Sequence, residues 1–180
     1  MTNRRGVCLG GWVALLLVST AVCASGVTST VAPDFTLPNV EGKAVTLSKL
    51  LKDGPVIVDF WATWCKPCIK AFPDLQQVFD KYRDCGLRVV AVSIDGPKSA
   101  SRVGALIASK GNTFEVVLDT SQDVARKFHV SSVPRTVLIN TKGEIVYAVT
   151  GYRPENHVEL DAAVKALFPD GCPKKAAGQE

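Results

Sequence analysis

Along this chain the apolar positions fall into two kinds of pattern, short unbroken runs and stripes at helical spacing. Val56-Ile57-Val58 and Phe60-Trp61 form a β-branched and aromatic run with one polar interruption, Asp59. A run of that kind predicts a strand covered on both faces, as in a parallel sheet. Residues 87–94 predict a second buried strand, and 114–118, 136–139 and 144–150 predict further ones. Residues 33–47 read as two short strands around a turn at Gly42, and Asn140 to Gly143 reads as a hairpin turn. Between the strands lie helical stripes. Phe72, Leu75, Val78, Phe79 and Tyr82 mark a helix from Ile69, in which Pro73 removes one backbone bond. Val103, Leu106 and Ile107 mark a second helix ending at Gly111, and Val158, Leu160, Ala163, Val164 and Leu167 a closing one over 155–168. Ser48 is the expected cap of a short helix broken by Gly54-Pro55, and residues 119–121 that of a helix running to Phe128. Strands alternating with helices predict βαβ units and an α/β fold.

At 180 residues, 47% of them hydrophobic, the chain holds one domain with extensions. A net charge of +4, without a basic stripe of interleaved aromatics, argues against nucleic-acid binding. Residues 1–24 read as an export segment: Arg4 and Arg5 are its charged region, and Val7 to Ala21 its apolar one. Cleavage before Ser25, retention as a membrane anchor and lipid attachment at Cys23 are all open, and each places the folded domain outside the cytoplasm. Residues 25–32 read as a linker, 33–168 as the domain and 169–180 as a loose tail.

The chemistry concentrates where the first buried strand turns into a helix. Cys65 and Cys68 stand there as Cys-Lys-Pro-Cys. The first turn of a helix presents unpaired N–H groups and the positive end of the macrodipole. A thiolate there is stabilised, and cysteine pKa values in such places fall to roughly 3.5–7.5. Cys65 is expected exposed at the helix mouth, with Cys68 one turn deeper on the same face, so that one thiol attacks and the other resolves the mixed disulfide. Half a zinc site is the competing reading, but no second cysteine pair or His/Cys cluster follows, so neither a metal nor a cofactor is expected. Removal of residues 1–24 leaves four cysteines, Cys65, Cys68, Cys85 and Cys172. An even number in an oxidising compartment suggests two disulfides. Asp59 is the other telling residue, because a carboxylate buried in an apolar strand must be partnered or protonated.

The run from Val56 through Trp64-Cys65-Lys66-Pro67-Cys68 resembles the thioredoxin superfamily, and Ala32-Pro33-Asp34-Phe35-Thr36-Leu37 together with the cysteine helix resembles its TlpA/ResA-like branch, over roughly residues 33–168. The opening Pro-Asp-Phe-Thr-Leu also occurs in peroxiredoxins. The resemblance implies a thioredoxin fold, a central mixed sheet flanked by helices, with an N-terminal β-hairpin and a βα insertion near 114–130. It implies that Asp59 accepts a proton from Cys68 and returns it, through water. It also implies that Pro134 is cis and packs on the cysteines while the Val133 backbone pairs with an extended substrate. In this topology the cysteine helix and the closing helix run together away from the active-site end, so Cys85 and Cys172 are expected to meet and pin the tail.

Other positions carry finer expectations. Trp64 is expected to shield the thiols and contact substrate, and Trp61 to be core. Lys66 is expected to favour the Cys65 thiolate, Pro67 to stiffen the turn, and Arg135 to attract acidic partners. His129 and His157 show no ligand spacing. One departure stands out: haem-maturation members of the branch often carry Glu where this chain has Ala71. The function expected is an extracytoplasmic thiol–disulfide oxidoreductase, a monomer reducing disulfides of exported proteins or apocytochromes with electrons from a membrane thiol relay. The alternatives are a peroxiredoxin-like peroxidase, disfavoured by the paired cysteines, and a non-catalytic partner-binding or assembly domain.

Overall fold

The structure, a computed structural model, describes residues 30–172. A six-stranded mixed sheet runs in the order β1 (Thr30–Val31), β8 (Glu144–Thr150), β7 (Arg135–Ile139), β4 (Val56–Trp61), β5 (Arg88–Ser93) and β6 (Glu115–Leu118). β4 is the pivot, parallel to β5 on one side and antiparallel to β7 on the other. All six of its residues are buried, as its apolar run requires.

Alternation along β4 sorts the molecule into two layers. Ile57 and Trp61 face a cluster built with α2 (Lys66–Tyr82), α3 (Ala100–Lys110) and α5 (Asn156–Ala166), through Phe72, Leu75, Val103, Leu160 and Val164. Val56, Val58 and Phe60 face the opposite cluster, with Leu47 of α1 (Leu47–Leu50) and Val124 and Ala125 of α4 (Asp123–Lys127). Asp59 lies in register with Ile57 and Trp61 and so points toward α2. Trp61 meets Phe72 edge-on at 4.9 Å, and Phe72 meets Phe114 at 5.7 Å, which seats α2 on the sheet. Gly54 and Gly86 hold the entries to β4 and β5 together. Both have positive φ, and a Cβ on either would strike the backbone of the other segment.

The hairpin of β2 (Thr36–Pro38) and β3 (Ala44–Thr46) reaches β6, where Val40 N–H donates to the Val116 carbonyl at 3.2 Å and Asn39 bridges Val117. It thereby covers a sheet edge. Fold class, hairpin and the added β6–α4 unit agree with the sequence expectation.

Several details differ. Within the expected linker, Thr30 and Val31 pair with Ile145 and Glu144, because β8 offers free backbone groups that a two-residue strand can use without any side-chain pattern. The cap of α1 is Thr46, without a side-chain bond; Asp34 Oδ1 instead accepts from Ser48 N–H at 3.0 Å. Val158 is 60% exposed, since it lies about 200° around α5 from Leu160. The expected loose tail is tied at its start, by Phe168 stacking on Tyr82 and by Cys172. The export segment lies outside the described residues, as does 173–180. Among the described residues no helix is long and apolar enough to cross a membrane.

Candidate active site

Cys65 is the N-cap of α2, in extended backbone, and its Sγ accepts the Cys68 N–H at 3.2 Å. An orphan donor of the helix start is thus spent on sulfur. Pro67 falls in the first turn, where its missing N–H costs nothing. Cys65 and Cys68 are joined as a disulfide with Cα atoms 5.3 Å apart. Cys68 is fully buried and Cys65 only 4% exposed. That corrects the expectation of an exposed Cys65: in the oxidised pair its sulfur turns inward onto Cys68, among Trp61, Ala62 and Phe72. Trp64 is the exposed neighbour, at 65%, whereas Trp61 is wholly buried. Lys66 is exposed, with no carboxylate partner among the described residues.

The loop before the pair is clamped by a residue that reads in the sequence as part of a turn. Asp95, buried two residues past the end of β5, accepts Thr63 N–H at 2.8 Å, Thr63 Oγ1–H at 2.6 Å and Ser93 Oγ–H at 2.9 Å. Asp95→Ala strands the buried Ser93 hydroxyl and two half-buried Thr63 donors, so we expect a loss of about 2–3 kcal/mol. Urea unfolding of the oxidised protein measures it; a loss below about 0.5 kcal/mol would show the clamp to be incidental.

Asp59 is 4% exposed and accepts the Thr136 Oγ1–H at 2.7 Å. Burial pushes its carboxyl up to about 7, against the opposing pull of that one hydrogen bond. It opens on a cavity of about 40 Å³, also lined by Ala71, Asp74, Pro134, Tyr152 and His157. The cavity has room for about three waters. The sequence reading missed Asp74, Tyr152 and His157 there, since three separate elements bring them together.

The Val133–Pro134 peptide is cis. Pro134 is buried and its carbonyl accepts from Gly151 N–H at 2.8 Å. Among the described residues no group bonds to the Val133 backbone N–H or carbonyl. Arg135 donates from Nη1 to Thr150 Oγ1 at 2.7 Å. At the far end of α2, Cys85 and Cys172 form a disulfide with Cα atoms 4.6 Å apart, inside the roughly 7 Å that bridging allows. His129 does not line the cavity.

The model of the AhpC/TSA family matches residues 28–148. A thiol–disulfide oxidoreductase ResA of Bacillus subtilis is 39% identical over 127 residues, 71% of this chain and 69% of that one. The ResA of Geobacillus kaustophilus is 34% identical over 128 residues, 71% and 72% of the two chains. Among solved structures, a thiol:disulfide interchange protein from Bacteroides sp. superposes with a TM-score of 0.66 at 25% identity, over 83% of this chain and 95% of its own. A peroxidoxin, BcpB of Mycobacterium tuberculosis, reaches 0.66 at 20% identity over 77% and 96%, a likeness of fold alone. Relatives, fold and paired cysteines agree, and the chain belongs to the AhpC/TSA family, among its thioredoxin-like, ResA-type thiol–disulfide oxidoreductases.

Proposed function

We propose that this protein is an extracytoplasmic reductase of disulfides in exported proteins or apocytochromes. The observation that carries the reading is the cysteine pair at the start of a helix, with one buried carboxyl behind it that ionises near neutrality. Cys65 thiolate attacks a client disulfide. Cys68 gives its proton to Asp59 and its thiolate attacks Cys65 Sγ; the bond to the client breaks, and two electrons leave with the client thiols. Val133 offers its unbonded backbone to an extended client strand beside Trp64 and Arg135. A membrane thiol relay re-reduces the pair, and the protein acts as a monomer, with residues 33–168 as the working domain.

Export is supported by the charged and apolar segments within residues 1–24 and by a second disulfide remote from the site. Ala71 in place of a carboxylate weighs toward general clients over apocytochromes, leaving Asp59 as the buried proton acceptor. Insulin reduction with a dithiol donor tests the activity, and trapping Cys65–Cys68 in cells tests its direction: a mostly oxidised pair would make the protein an oxidase. Peroxide consumption exceeding insulin reduction would favour the peroxidase reading.

Asp59→Asn is expected to slow client reduction at least about 10-fold at pH 7. The wild-type rate should rise through about pH 7 as Asp59 ionises, and the variant should lose that inflection. The stability effect has a definite sign. A raised carboxyl pKa leaves stability intact below about 4 and erodes it as pH climbs to about 7, because ionisation is then demanded of a buried group. The asparagine variant should show no such decline between pH 4 and 7 in urea unfolding. Identical pH–rate profiles would remove Asp59 from the chemistry.

Lys66→Gly is expected to make the pair a weaker oxidant, lowering its reduction potential by more than about 10 mV through loss of a cation beside the thiolate. Equilibration with glutathione reads the change, and a smaller one means that Lys66 is merely solvated.

A further inference from the structure

Asp59 is buried, and in the sheet Ala91 of β5 and Thr136 of β7 sit opposite it. It opens on the cavity, which Ala71 and Leu75 of α2 also line and which continues to the half-buried start of α5. The cavity offers a proton taken up by Asp59 a way toward solvent. The groups facing the cavity are few. Asp59 comes from β4, and Asp74 from α2, where Lys70 also stands over the Tyr152 ring at 5.5 Å. Tyr152 and Asn156 come from the segment after β8 and the start of α5, His157 follows, and β7 adds the Thr136 hydroxyl.

Most of these groups are committed. Thr136 donates to Asp59 itself. Asn156 Nδ2 donates to the Gly151 carbonyl at 2.9 Å, and its Oδ1 accepts from Arg153 Nε at 3.2 Å. The Tyr152 hydroxyl donates to Asp74 Oδ2 at 3.2 Å, and burial, then the Asp74 charge, raises its pKa, so it holds its proton. His157 differs. Its Nδ1 lies 2.5 Å from the Pro154 carbonyl, which can only accept, so Nδ1 carries the hydrogen and Nε2 keeps a lone pair.

We propose that His157 is the exit through which Asp59 exchanges its proton with solvent, by way of water in the cavity. The step rests on the assignment of Asp59 above. Cys68 passes its proton to the Asp59 carboxylate, its thiolate closes the bond to Cys65, and the client leaves with two electrons. The transfer is coupled: as Cys68 gives its proton to Asp59, Asp59 gives one through water to His157 Nε2 and so to bulk solvent, which keeps the carboxylate ionised while the thiolate attacks. When a dithiol donor returns two electrons, the same path runs inward and protonates Cys68. His157 touches no client, so it is a positioning and relay residue.

Stopped-flow tryptophan fluorescence of the full chain, following oxidation of the reduced pair by insulin across pH 5–9, tests this. His157→Gln should slow the second, intramolecular step about 5- to 10-fold near pH 7, and added imidazole should restore it. Alkylation of Cys65 in the reduced protein should be unaffected, because its thiolate does not use this path. Asp74→Asn, on the same wall, should change the second step less than about twofold. Equal second-step rates and pH profiles in wild type and His157→Gln overturn the exit while leaving the reductase standing. Slowing by Asp74→Asn alone overturns it in favour of Asp74. Failure of the wild type to reduce insulin overturns the underlying reading and the exit with it. A misfolded glutamine variant, seen by circular dichroism, is replaced by His157→Asn under the same criteria.

Discussion

Cys65→Ser is expected to abolish disulfide reduction, lowering the rate on the order of 10³-fold or more. The reaction needs an anion at the helix mouth, able to form a bond to sulfur and give it up again. A serine hydroxyl is not ionised near neutrality, and its oxygen forms no mixed disulfide. The Cys68 N–H that donates to Cys65 Sγ at 3.2 Å, and the dipole of a 17-residue helix behind it, stabilise a thiolate but do not create a nucleophile from an alcohol. Cys68→Ser should behave differently. Attack by Cys65 survives, resolution does not, and a covalent complex with the client accumulates on a non-reducing gel. Cys65→Ser retaining more than about a tenth of wild-type turnover would mean that another group attacks. Loss of both variants' activity without a trapped complex from Cys68→Ser would point to the opposite division of labour, with Cys68 as the attacker.

The parts of this site that can be read from sequence are those carried by one short stretch. β4 announces itself by Val56 to Trp61, the redox pair by its spacing and its place before a helical stripe, and Asp59 by being polar where everything around it is apolar. What escapes is what several elements make together. Asp74 and Tyr152 are 78 residues apart, and only the packing of α5 beside α2 puts both on Asp59's cavity with His157. Asp95 escapes for another reason. Asp95-Gly96-Pro97 has the composition of a turn, and nothing local shows that its carboxylate reaches back 32 residues to hold Thr63. The sequence predicts an open Cys65 because helix N-termini face solvent; in the oxidised pair the sulfur lies inside. Val158 shows the limit of composition on a helix, where an apolar residue out of phase with Leu160 and Val164 stays in water.

The two disulfides sit at opposite ends of α2, separated by its length of about 25 Å, and this predicts that they serve different ends. Replacing Cys85 and Cys172 together by alanine is expected to lower stability by about 4.6 kcal/mol, the chain-entropy value for a loop of 87 residues. What remains at that end is weak. Tyr82 still stacks on Phe168, and Lys81 still reaches Asp161 at 2.7 Å, but the ion pair is largely exposed and contributes under about 1 kcal/mol. The melting temperature of the oxidised double variant should therefore fall by about 10 °C, while insulin reduction at 25 °C stays within about twofold, since no atom near Cys65 moves. Mild dithiol treatment of the wild type should open the Cys65–Cys68 bond first and leave the melting temperature high, because the start of α2 stabilises the Cys65 thiolate released when that bond opens. A stability loss below about 1 kcal/mol would show that the remote pair contributes no constraint. A parallel collapse of activity would show that the far end of the helix is coupled to the near one, against the separation of a structural staple from an exchanging pair.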